Sequence, residues 1–424
     1  MTAAERILDA PDPIEPSPSS EWVAGLREPM RKLLGFCRSN DWAGYDPYDA
    51  LNSRIFQALP FLDFRLFRLA LTQFNKRSPV NFRPLLLIPK SHNPKGLALF
   101  ISSLARLSRA GVLDQPDDLV QMADRLLALR SQGTPYTCWG YNFSWQTRFE
   151  LVPRGSPNII CSTFAANALL DVYERFPQAR FLEAAVSACQ FILDVLYWKP
   201  NANESCFSYT PLWKAEVHNA SLLGAALFTR VARLSGESKF LEPALAAARY
   251  SARRQHPDGA WDYGESDNPS QRWKDNFHTG YNLCAFRRIG ADAGTSEFEP
   301  NVRLGFQFYR DHFFRDDGAP RYFHNETYPI DVHCVAQSVI TLHALQDLDS
   351  RNLALAQSVL RWTMANLWDE RGGYFYCLKH PSYTVKIPYM RWAQAWMLMA
   401  LATLFDGANS ALPVPVPCKS GGAS

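Results

Sequence analysis

No stretch of the 424 residues approaches the roughly 18 consecutive apolar residues that a membrane-crossing helix needs, so no membrane span is expected. The N-terminus, MTAAERILDAPDPIEPSPSS, lacks the basic start and apolar core of a signal peptide. Charge of one sign is also scarce: 44 Lys+Arg face 41 Asp+Glu, a net charge of +3. There is no Lys/Arg-rich run, which argues against a nucleic-acid partner. Nine cysteines form an odd set with no CxxC pair. That pattern fits reduced thiols and a cytoplasmic location, not a disulfide scaffold. Neither GxGxxG nor GxxxxGKS occurs, so no phosphate-cradling loop is present and no cofactor is implied. What remains is a chain that is 47% hydrophobic, enough for a large core.

What is present is a repeat. Residues 180–189 read RFLEAAVSAC and residues 239–248 read KFLEPALAAA, 59 positions apart, and Phe298-Glu299-Pro300 is a weaker copy 58 residues after Phe240. Each opens an Ala-rich stretch with apolar residues three and four apart, the helical period. Pro243 and Pro300 fall where a helix's first turn tolerates a missing N–H.

A second helical series alternates with the first, beginning near Gly96, Asn158, Val217, Phe277, Val332 and Tyr389. Its anchors Cys161, His218, His278, His333 and Arg391 stand 57, 60, 55 and 58 residues apart. These segments are apolar on nearly every side and rich in Ala, Gly and Ser, as buried helices are. The first series has a polar face (Arg180, Glu183, Gln190, Asp194) and belongs outside. Gly/aromatic elements such as CWGYNFSW (138–145) and DGAWDYGE (258–265) precede the inner helices. Six inner helices with outer partners predict one all-α (α/α)6 barrel over residues 21–405, between flexible segments 1–20 and 406–424. Five outer helices lie near Pro116, Gln178, Lys239, Phe298 and Asn352, and the sixth is expected around Arg54–Phe74.

RQHPDGAWDYG resembles the repeat of prenyltransferases and squalene-type terpene cyclases. LWDERGGYFYCL and RWAQAWMLMALATL resemble the last repeat of N-acylglucosamine 2-epimerases. Across about residues 95–405 the pattern looks most like the toroids of bacterial polysaccharide biosynthesis, glucuronyl C5-epimerase-like ones included. The resemblance implies the fold and, by analogy, carbohydrate chemistry; a fold alone assigns no reaction. The cyclase DxDD cluster is missing, since Asp114-Gln-Pro-Asp117-Asp118 has the wrong spacing and reads as the start of an outer helix. Asp331, His333 and Cys334 are too close along one helix end to surround a tetrahedral zinc, so no metal is expected.

Three of the nine histidines share one repeat phase, in Glu216-Val-His218, Asn276-Phe-His278 and Asp331-Val-His333, and Arg391 holds the place in the last repeat. If inner helices run the same way, these starts gather at one end of the barrel. Histidine can act there as general acid or base, and arginine's fork suits a carboxylate or phosphate. The competing reading is that the phase preserves a helix cap or a buried hydrogen bond. His218, His278, His333, Arg391, Asp275 and Asp331 are the candidate catalytic residues, with Asp275 equally readable as an N-cap. Trp139, Tyr141, Trp145, Arg148, Glu216, Tyr281, Glu326, Tyr328 and Tyr389 are the candidate substrate-binding residues. Aromatics would stack on sugar rings, although packing of loop against helix accounts for some of them.

The expected activity is a two-base epimerase or isomerase acting on a sugar or uronic acid unit. A glycoside hydrolase or lyase on the same barrel is the alternative, and a non-catalytic toroid that binds a glycan or partner chain is a third reading. The sequence leaves open which sugar is bound, whether it is free, nucleotide-linked or polymeric, and the oligomeric state.

Overall fold

The computed structural model describes residues 18–113, 117–147, 150–265 and 272–406. Arg148, Asp114 and most of the two terminal segments named above lie outside the described residues. Fifteen α-helices occur among those described. They are α1 (Pro18–Gly25), α2 (Arg27–Ser39), α3 (Arg54–Gln57), α4 (Arg65–Arg77), α5 (Pro94–Arg109), α6 (Asp117–Ala128), α7 (Ile159–Arg175) and α8 (Ala179–Phe191). After them come α9 (His218–Ser235), α10 (Leu241–Arg253), α11 (Asn276–Ala293), α12 (Glu299–His312), α13 (Val332–Ala344), α14 (Asn352–Asn366) and α15 (Trp396–Asp406). None is long and apolar enough to cross a membrane.

The odd-numbered helices from α5 to α15 form the inner ring: each packs on the next, and α15 packs back on α5. Small residues let these helices approach closely. A Cβ on Gly224 would lie 2.8 Å from Ile159 Cδ1, and one on Gly96 would lie 3.2 Å from Arg391 Cβ, at the seam where the ring closes. Even-numbered helices α6 to α14 pack outside their inner neighbours. Their single apolar stripes, Phe181, Ala184, Ala185 and Ala188 on α8 for instance, match the buried face that an outer layer needs.

The sixth outer partner is not where the sequence placed it. It is α2, which presents Met30, Leu33, Leu34 and Cys37 inward and packs on α15. Residues 54–74 instead form α3 and α4, with α4 packed on residues 49–52 and on the loop at Trp145. Their apolar content is as high as that of a wall helix, but much of it faces outward.

Two-residue strands stitch the loops at the helix starts. Glu216–Val217, just before α9, pairs with Gly264–Glu265, in the loop before α11. Ile330–Asp331, before α13, pairs likewise with Leu378–Lys379 in the next loop. Bridges at Gly140–Pro157 and Asp275–Phe323 add to the collar. Each loop is thereby held at a fixed height around the axis. The eight described cysteines are unpaired.

Candidate functional site

The second residue of every inner helix faces the axis. Lys95, Ile160, Asn219, Phe277 and His333 hold that position on α5, α7, α9, α11 and α13. Arg391 holds it in the π-helical turn Met390–Ala395 that leads into α15. All six line one cavity of about 650 Å³. Caps fix the register: Asn93 accepts from the Lys95 and Gly96 N–H groups, Asn158 from Cys161, Asp275 from His278 and Asp331 from His333.

This register explains where the aligned histidines go. His333 is second in its helix, but His218 is first and His278 third, so their side chains leave the helices about 100° apart per position. His333, His278 and Arg391 line the cavity, and His218 does not. The His218 ring is buried between α9 and α10, with Nδ1 3.1 Å from Ser251 Oγ and Nε2 3.1 Å from Glu265. Its neighbour Asn219 takes the axial place.

His278 is held as a dyad with Asp275. One carboxylate oxygen of Asp275 lies 2.6 Å from His278 Nδ1 and also accepts from Trp273 Nε1 at 2.9 Å. The other oxygen caps α11. The side chain of His278 is 21% exposed, open to the cavity, while that of Asp275 is 1% exposed. Asp275 is therefore both the cap and the partner of a histidine, two roles that the sequence offered as alternatives.

His333 sits in an aromatic cage. Its ring stacks between Phe277 and Trp396, both with centroids 4.5 Å away, and meets Trp392 edge-on. Nε2 lies 2.6 Å from the Tyr281 hydroxyl, and the buried Nδ1 has no partner. Burial, with Lys95 and Arg391 nearby, holds its pKa well below the ordinary value, so the ring is neutral. A buried N–H without an acceptor is rarer than an unused lone pair. That assigns the proton to Nε2, which donates to the Tyr281 oxygen and leaves the phenolic proton directed at the cavity.

Lys95 is the cavity residue the sequence reading passed over, because the helix was started at Gly96. Its ammonium makes no hydrogen bond to a described residue and lies over the rings of Phe164 (4.4 Å), Trp396 (5.2 Å) and Tyr281 (5.7 Å). Burial, then the positive Arg391, pulls its pKa down to about 7. A visible signal was Asn-Pro-Lys at 93–95, a cap and a first-turn proline followed by a cation.

Arg391 is anchored from behind. Asp46 receives its Nε at 2.5 Å and its Nη2 at 2.8 Å, and both side chains are almost fully buried. Lys76, Arg77, Lys95 and Arg391 all line the cavity, against Asp275 as its one lining carboxylate among the described residues. The positive ends of six helix dipoles converge on the same space. Basic side chains thus outnumber carboxylates in the lining.

Of the remaining candidates, Tyr141, Trp145 and Tyr281 line the cavity. Tyr141 stacks on Phe143 at 5.1 Å and shares a 3.1 Å hydroxyl contact with Tyr209. Tyr263 stacked on Trp273 forms the facing wall. Five others are placed elsewhere. Trp139 is fully buried, donating from Nε1 to the Leu126 carbonyl at 2.8 Å, just as Trp261 donates to Ser251. It is a packing device of the repeat. Tyr389 is buried under Arg83. Glu216 takes the Tyr250 hydroxyl outside the cavity. Glu326 is exposed and Tyr328 half-buried, neither in the lining. Asp331 lies directly behind the site: both oxygens accept Trp392 Nε1 at 3.0 Å, one also caps α13, and burial pushes its pKa up to about 6. No group of three or more His, Cys, Asp or Glu side chains among the described residues could hold a metal ion.

No protein-family model matches the chain, and no curated protein matches its sequence. Solved structures do match. A cellobiose 2-epimerase from Bacillus thermoamylovorans superposes at a TM-score of 0.63 with 11% identity, over 91% of this chain and 99% of that one. The fold is the (α/α)6 toroid. A family 76 glycoside hydrolase (mannosidase) from Bacteroides thetaiotaomicron gives 0.56 at 12% identity, over 91% and 98%. A polysaccharide lyase gives 0.57 at 8%, over 92% and 99%. Toroids of this kind thus host three different reactions, so the fold assigns none of them.

Proposed function

We propose that the protein is a sugar epimerase acting on an anionic, uronic-acid-type unit of a glycan, within polysaccharide or glycoconjugate biosynthesis. The observation that carries the reading is the presence of two proton-transfer groups, His278 and Tyr281, in one cavity lined by cations. Their rings are 6.1 Å apart, and each is held by its own partner, Asp275 or His333.

His278 Nε2 removes the proton from the stereocentre next to the sugar carboxylate, and Asp275 stabilises the imidazolium that forms. Negative charge develops on the carboxylate oxygens, where Arg391, Lys95 and the helix N-termini already point. Such preorganised electrostatics usually supplies the largest share of catalysis. Tyr281 delivers its proton to the other face, and His333 Nε2–H with Lys95 steadies the phenolate. One proton then passes from His278 back to Tyr281 to reset the site. Tyr141, Trp145, Tyr263 and Trp273 offer faces for the C–H surfaces of the sugar.

The hydrolase alternative is disfavoured. Inverting hydrolysis needs two carboxyls about 6.5–9.5 Å apart across the scissile bond. Asp275 is already engaged by His278, Trp273 and the helix cap. A lyase shares the first proton abstraction and differs in expelling a leaving group. The unpaired state of the eight described cysteines supports a reducing, cytoplasmic setting.

Incubating uronate-containing oligosaccharides with the protein in deuterated water tests the reading. Epimerisation incorporates deuterium at the stereocentre with chain length intact. New unsaturated ends would instead make it a lyase and new reducing ends a hydrolase, while binding without exchange would leave only a glycan-binding toroid.

A further inference from the structure

The excursion over residues 54–90, which forms no part of the barrel wall, carries most of the exposed large apolar side chains among the described residues. Phe61, Leu66 and Leu85 are 73%, 70% and 72% exposed, and Phe64, Phe74 and Leu87 are at least half exposed. Elsewhere among the described residues only Leu212, Leu304 and Tyr383 are large apolar side chains of comparable exposure. Such a concentration marks an interaction surface.

Helix α4 half-buries Phe67, Leu69 and Leu71 but leaves other apolar side chains outside. Its buried side chains are Thr72 and Asn75, while Leu66 and Phe74 face outward with Arg65, Ala70, Gln73 and Arg77. Positions 66, 70, 73, 74 and 77 form one stripe at helical spacing. Polar contacts hold the inner side: the Asn75 carbonyl accepts from Arg83 Nη1 and from the Tyr389 hydroxyl. Arg83 in turn is locked on Asp49 at 2.7 Å. The outward apolar face is thus fixed in place by a buried network.

Charge tells what kind of surface would cover it. Between Arg54 and Lys90 there are seven basic residues and one acid, Asp63; Arg83 is buried on Asp49 and Arg68 pairs with Asp63, which leaves an exposed excess made by Arg54, Arg65, Arg77 and Lys90. The basic residues of this segment are interleaved with apolar ones, apart from the adjacent Lys76 and Arg77. A second copy docking face to face would set this excess against itself. Apolar side chains flanked by Arg and Lys match the interface of an anionic bilayer, where rings and leucines enter the acyl boundary and the cations meet headgroups. Gln73, Lys76 and Arg77 also line the cavity, so the same helix forms both the outer patch and the rim of the site.

We propose that residues 55–87 dock the mouth of the barrel onto an anionic membrane surface. The corollary, that the sugar reaches the cavity on a membrane-embedded lipid carrier, rests on the epimerase reading above; the docking itself does not.

Cosedimentation of the full chain with vesicles tests the docking and requires no turnover. The protein binds vesicles of phosphatidylcholine mixed with phosphatidylglycerol, binds pure phosphatidylcholine vesicles far less, and releases as salt is raised. Combining Phe61→Ser, Phe64→Ser and Leu66→Ser lowers the partition constant by about tenfold or more, with the melting curve unchanged because these side chains are exposed. Arg54→Glu with Arg65→Glu weakens binding selectively to the anionic vesicles. Absence of binding to anionic vesicles, or binding that the triple variant leaves intact, overturns the proposal. So does a lipid-free dimer that the triple variant dissolves, which would assign the face to a second copy. Deuterium exchange into sugars without vesicle binding would leave the epimerase reading standing and remove the docking alone.

Discussion

Arg391 reaches Asp46 across 345 residues of chain and holds it with two hydrogen bonds, 2.5 and 2.8 Å long. The pair joins the start of the last inner helix to the loop that leads into α3 and α4. It closes the ring, anchors the segment at the mouth and positions one of the cavity's cations at once. Removing one partner of a buried pair leaves the other charge uncompensated. Asp46→Ala is therefore expected to lower the unfolding free energy by about 3–5 kcal/mol, read from urea or guanidinium midpoints. Adding Arg391→Met should restore part of the loss. If the single variant unfolds like the parent, the closure role is wrong.

Lys95 makes stability depend on pH in a particular direction. The unfolded chain keeps this proton up to about 10.5, the folded one only up to about 7. Between those values the unfolded state binds more protons, so the Lys95 contribution to stability rises with pH. Below about pH 7 both states are charged and the folded state bears the full burial cost. Lys95→Met should accordingly raise the melting temperature most at pH 6, with the gain shrinking by pH 9.5. Equal gains at both pH values would contradict the shift.

The proton-transfer assignment separates from stability by measurement. His278→Ala should reduce deuterium incorporation by about 100-fold or more, with little change in melting, since the ring is partly open to the cavity. Tyr281→Phe should do the same to turnover while leaving substrate affinity largely intact. Two variants with parental exchange rates would remove both roles.

Trp139 gives the opposite expectation. Its indole N–H satisfies the Leu126 carbonyl at the end of α6, outside the cavity lining. Trp139→Phe should cost about 1–3 kcal/mol in unfolding free energy through the unpaired carbonyl and lost packing, with kcat and KM unchanged. A selective rise in KM would return this residue to the binding site.

The repeat period near 58, the alternation of all-round apolar and one-sided helices, and the placing of Gly/aromatic loops before inner helices were legible in the chain. They depend on local spacing, and spacing alone dictates which helix can be buried on every side. Helix phase was harder to read. The three X-X-His triplets align by eye, yet caps at Val217, Asp275 and Asp331 begin their helices three different distances before the histidine. One position turns a side chain by about 100°, enough to send His218 between α9 and α10 while His333 reaches the axis.

The sequence by itself determined the toroid, because the buried stripes of its helices can be satisfied only by closing the ring. Tertiary structure alone decided which polar groups meet in the cavity, since a cap register is a matter of hydrogen-bond geometry that composition does not encode. It also decided that α2 is the sixth outer partner and that α4 turns its apolar face outward. Both helices are amphipathic, and one polar anchor of α4, Tyr389, lies 314 residues beyond Asn75 in the chain.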